Sequence, residues 1–70
     1  MSETAHERAL RHVTCGRRII AAQQKRIEQL RAQGKDTSRA QALLEQFERS
    51  QAIFEDDLWR LERLQGHRSI

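Results

Sequence analysis

Seventy residues leave room for one small domain, and a chain that is 33% charged, with only Phe47, Phe54 and Trp59 as aromatic side chains, has little from which to build a core. Thirteen basic against ten acidic residues give a net charge of +3, unevenly spread: residues 1–35 hold eight basic and three acidic, residues 36–70 five and seven. The lone Cys15 excludes an internal disulfide, and no early apolar run has the length of a secretory signal or a membrane span, so a cytoplasmic address without a membrane partner is expected.

In chain order, the first element is an amphipathic helix expected over about residues 3–33. Apolar and small side chains fall in one stripe at about 100° per residue: Ala9, Val13, Gly16, Ile20, Ile27 and Leu30. Ser2 or Thr4 suits the start, and Gly34 stands where a left-handed residue ends a helix. A turn over about residues 34–37 follows, in which Asp36 or Thr37 can accept the free amides of the next helix. The second helix is expected over about residues 38–65, with the stripe Ala40, Leu43, Leu44, Phe47, Phe54, Leu58 and Leu61 and with Leu64 at its edge. Gly66 is expected to end it, leaving a frayed tail over 66–70.

A turn of so few residues forces the helices antiparallel, and heptad spacing of Val13, Ile20, Ile27 and of Ala40, Phe47, Phe54, Leu61 predicts a coiled-coil-like seam. The fold class is therefore all-α, a single antiparallel two-helix hairpin. Folding about Gly34 brings Ile27 to Leu44, Ile20 towards Gln51 and Gly16 close to Phe54. Gly16 costs a helix about 1 kcal/mol relative to alanine, which is accounted for if it leaves a socket for Phe54 or for another helix. The apolar pattern lapses at Gln23, Ser50 and Gln51, which face one another in this hairpin, either as a register-setting polar layer or as a wet gap.

His12-Val13, Gly16, Arg18, Ile20 and Gln23, followed by Gly34, Asp36-Thr37, Ala40, Leu43-Leu44 and Phe47-Glu48, resemble a set of small uncharacterised bacterial proteins. The resemblance spans about residues 9–64. Where such relatives often carry acidic residues before the arginine, this chain has Cys15 and Arg17. The resemblance implies a cytoplasmic bacterial helical hairpin and no nameable activity.

Stability points towards a partner. A compact fold of this size exposes about 4,500 Å² against about 12,000 Å² unfolded. With about 60% of the difference apolar, burial contributes roughly 110 kcal/mol against an ordering cost of about 105 kcal/mol. A rod buries less than a globule, so the balance tips against an isolated monomer. Ile19, beside His12, widens the first stripe, while Ile53 and Leu64 widen the second on the flank of Leu43, Ser50 and Asp57; a two-fold dimer forming a four-helix bundle closes both. Trp59 projects elsewhere, as an anchor for a partner or as a surface ring. The expected homodimer or helical-partner interface is His12, Gly16, Ile19, Gln23, Leu43, Ser50, Ile53, Asp57, Trp59 and Leu64.

No catalytic, cofactor or metal site is expected. Glu3 and His6 share a helical face, but a metal bundle needs a second such pair and further glutamates. His12 and Asp57 read as a structural pair across the hairpin, and Cys15 as a small filler rather than a thiolate favoured by Arg11 and Arg18. The rival function class is sequence-indifferent nucleic-acid binding. Arg11, Arg18 and Lys25 recur every seven residues on the outer side of the first helix, a ridge able to follow phosphates.

Overall fold

The computed structural model describes residues 2–68, with side chains through Leu64. Two helices, α1 (Ala5–Ala32) and α2 (Ser38–Arg68), fold back on one another as an antiparallel hairpin 56 Å long and 23 by 14 Å across. Of the two expected caps, Thr4 starts α1. Its hydroxyl accepts the Glu7 amide at 3.0 Å, and the Glu7 carboxylate accepts the Thr4 amide at 3.5 Å, a reciprocal capping box. Gly34, at φ 68°, takes the left-handed conformation that closes the other end. The Lys35 amide then donates to Leu30 O at 2.9 Å and the Gly34 amide to Arg31 O at 3.0 Å, so two carbonyls that α1 leaves open are satisfied within the turn.

Thr37 O accepts the first helical bond of α2, from Gln41 N–H at 2.8 Å, while Asp36 Oδ1 accepts the Ser38 hydroxyl at 2.7 Å and amide at 3.0 Å. These bonds hold the Asp36 carboxyl below its ordinary 3.8. A carboxyl depressed in the folded state stabilises it above the unfolded pKa and loses that contribution as pH falls through the folded value. In circular-dichroism melts, Asp36→Asn is therefore expected to lie below the parent at neutral pH, with the gap closing below pH 3.8. A gap independent of pH would contradict this role.

Helix α2 continues to Arg68, past the stop expected at Gly66; residues 69 and 70 of the expected tail lie outside the described residues. Glycine permits a left-handed stop without compelling one.

Along the seam, Ala9, Val13, Ile27 and Ala40 are buried, and Val13, at 2% exposure, is the best shielded. Ile20, Leu30, Leu44, Phe47, Phe54, Leu58 and Leu61 are only half-buried. Two rods touch along one line, so most apolar side chains keep a side to water. The accessible surface is 5969 Å², well above the roughly 4,500 Å² of a compact fold of this mass.

The polar lapse in the stripes is neither a wet gap nor a single layer. Gln23 Nε2 donates to Ala40 O at 2.9 Å, and Gln51 Nε2 donates to Val13 O at 2.9 Å; both side chains are buried. Each helix thus sends one amide to a main-chain carbonyl of the other, using the lone pair that the helical bond leaves free. The two glutamines sit apart and Ser50 is exposed, which corrects the expectation that the three face one another. A slip of register would leave both amides buried without an acceptor, so the pair acts against sliding.

Gly16 is explained by the second clasp, and here too the structure corrects the sequence. A Cβ at Gly16 would overlap Gln51 Oε1 and lie 2.7 Å from Gln51 Cδ. The socket expected for Phe54 holds Gln51 instead, because the amide reaches Val13 O only by crossing directly over the Gly16 backbone. Gln51 Oε1 has no hydrogen-bond partner and lies against the α-hydrogen that glycine carries in place of a side chain, a weak C–H···O contact.

Candidate interaction surface

With the seam occupied by Val13, Gln51 and their neighbours, one flank of each helix forms a common face. On α1, His12, Ile19 and Arg26 recur every seven residues and so share a side. His12 lines a groove at the open end of the hairpin with Ala9, Phe54, Asp57, Leu61 and Leu64, while Arg26 lines a hollow at the turn end with Leu30, Ala40 and Leu43. Ile19 lies between them. On α2, the same two hollows place Leu43 near the turn and Leu64 at the open end, with Ile53 between.

Four side chains on this face keep large apolar areas in water: Ile53 at 63% exposure, Leu64 at 62%, Ile19 at 47% and Leu43 at 42%. An isolated exposed leucine is ordinary, whereas several along one face of a rod are the mark of a surface that meets another. Leu43 stands in the expected core stripe, yet it falls on this flank because the seam of α2 is centred on Ala40 and Gln51.

The groove at the open end encloses about 540 Å³. Its floor is the His12 ring tilted at 55° against Phe54, with centroids 5.0 Å apart, an arrangement aromatic pairs favour. Asp57 lines the same groove but makes no ion pair with His12 among the described residues, so the expected His12–Asp57 contact gives way to a His12–Phe54 stack.

Of the expected interface residues, His12, Ile19, Leu43, Ser50, Ile53, Asp57 and Leu64 lie exposed on the shared flanks. Gly16 and Gln23 are spent inside the hairpin and offer nothing to a partner. Trp59 is exposed on another side, where the Arg63 guanidinium lies 4.7 Å from its ring centroid. That cap is legible in the i, i+4 spacing of the two residues. Leu10, exposed away from this face, belongs to no stripe in the sequence.

The charge asymmetry between the halves is barely discharged between the helices. Arg17–Glu55, at 3.4 Å and exposed, is the interhelical ion pair among the described residues. Glu3 is held by Arg11 at 2.9 Å and Arg8 at 3.8 Å, so one member of the basic ridge already has a carboxylate; Arg18 and Lys25 make no ion pair among the described residues. No group of three or more His, Cys, Asp or Glu able to hold a metal occurs among the described residues, and no described helix is long and apolar enough to cross a membrane. Cys15 is free and exposed.

No family model matches the chain, and no curated protein or solved structure shows significant similarity to it.

Proposed function

We propose that the hairpin is a small self-associating interaction module, a homodimer that closes into a four-helix bundle and serves as a structural adaptor, able to offer its remaining faces to another helical protein. The observation that carries this reading is the line of water-exposed apolar side chains, Ile19, Leu43, Ile53 and Leu64, along one face of a rod that already exposes 5969 Å². The role is non-catalytic and the setting is the cytoplasm, in keeping with the bacterial helical hairpins that the sequence resembles.

Light scattering coupled to size exclusion tests it. The parent chain is expected at twice the chain mass at micromolar concentration. Ile53→Glu would place a carboxylate in each half of the interface and weaken association by about thirtyfold or more, whereas Arg18→Glu leaves it unchanged. A folded monomer at concentrations on the order of 100 µM would overturn the reading.

A second reading, phosphate-backbone binding through Arg11, Arg18 and Lys25, is favoured by their seven-residue spacing and by Arg18 and Lys25 making no ion pair among the described residues. It predicts binding to duplex DNA that weakens steeply with salt. No binding at low salt removes it.

A further inference from the structure

The exposed flank of α2 carries a leucine at either end and polar residues to either side of Ile53. Leu43 lies ten residues before it and Leu64 eleven after, about 15 and 17 Å away along the helix, on one flank spanning less than a quarter of its circumference. The polar residues between them are not symmetric in kind, and one pair among them is complementary in charge. Arg49 lies four residues before Ile53 and Asp56 three after; Ser50 lies three before and Asp57 four after; Gln46 and Arg60 lie seven to either side.

From this pattern we infer that the partner of the face is a second copy of the chain, docked with its α2 antiparallel to the first α2 across a two-fold axis at Ile53. The inference rests on the self-association proposed above and adds its geometry. The axis sets Ile53 against Ile53 and brings together residues that straddle it seven apart, since these share one side of the helix and lie at nearly equal distances from the axis. Arg49 of each copy then meets Asp56 of the other, and Ser50 meets Asp57, each contact occurring twice. Arg49 has no ion pair in its own chain among the described residues, while Asp56 holds Arg60 at 2.7 Å on its exposed side. The charge pattern therefore leaves an unsatisfied cation where the antiparallel mate presents a carboxylate.

The same register brings Leu43 of the second copy over the open-end groove between Leu61 and Leu64, the larger of the two hollows described on this face. Each copy offers both the side chain and the groove, so two such seatings form. A parallel dimer has the opposite electrostatics. It sets Arg49 against Arg49, Asp56 against Asp56 and Asp57 against Asp57, and like charges facing across an interface are disfavoured.

Spin labels on the Cys15→Ser background read the geometry directly. A label at Ile53→Cys should report a short intermolecular distance near the axis. One at Leu43→Cys should report about 30 Å, twice the rise of ten helical residues, where a parallel pair gives about 10 Å. Charge reversal provides an independent arm. Arg49→Glu and Asp56→Lys should each weaken homodimers at least tenfold, and mixing the two variants in equal amounts should restore a dimer that contains one of each. Circular dichroism of each variant confirms that the helices persist. A dimer by light scattering with Leu43 labels at the short distance, or variants that fail to pair on mixing, overturns the antiparallel register and leaves self-association standing. A parent chain that stays monomeric overturns both.

Discussion

Gly16→Ala is expected to destabilise the hairpin by about 1–2 kcal/mol, although alanine in place of a helical glycine ordinarily gains about 1 kcal/mol. The added Cβ would occupy the position of Gln51 Oε1 and stand 3.3 Å from Gln51 Nε2. The glutamine is the movable partner, so it swings out, surrenders its bond to Val13 O and opens the seam at its best-shielded residue. Losing a buried amide bond costs about 1–3 kcal/mol, more than the propensity gain returns. A second substitution exposes the cause. In a Gln51→Ala background the space is vacant, and Gly16→Ala should become stabilising by about 1 kcal/mol. Urea unfolding of the four chains at one fixed concentration gives a coupling on the order of 2–3 kcal/mol. A stabilising Gly16→Ala in the parent chain would mean that Gln51 does not cross there.

The architecture was legible because it depends on local rules. Period-3.6 stripes, a cap at Thr4 and a left-handed glycine at Gly34 decide where helices run and where the chain reverses, and each operates within a few residues. What resisted reading depends on which atoms meet across the seam. The spacing of Gln23 and Gln51 signals a polar interruption, but only the azimuth of each helix decides that both amides reach main-chain carbonyls rather than one another. Gly16 was legible as a contact and illegible as to its occupant, since Phe54 and Gln51 are three residues apart and therefore neighbours on one helical face. Gly66 permits a left-handed stop, but α2 runs through it to Arg68.

The candidate surface divides the same way. Ile53 and Leu64 stand outside the seam in the sequence and are exposed in the structure. Charge pairs His12 with Asp57 in the sequence, yet its ring lies against Phe54, which is three residues from Asp57 and so shares its side of α2. That Arg49 and Asp56, and Ser50 and Asp57, straddle Ile53 is present in the sequence, but it gains meaning only once the seam is known to lie on the Ala40–Gln51 side and these residues face outward.

Self-association is the claim on which the functional reading turns, and concentration-dependent melting addresses it without any substitution. Dissociation is coupled to unfolding when the folded dimer is the species that hides the exposed row. Raising the chain concentration a hundredfold then adds about 2.7 kcal/mol to the stability of the assembly. For a dimer of 70-residue chains, that moves the midpoint upward by on the order of 10 °C. A midpoint that climbs by this amount between low-micromolar and high-micromolar chain concentration is the expected result; one that stays put over the same range would show a monomer that tolerates Ile53 and Leu64 in water, and the proposed module would fall with it.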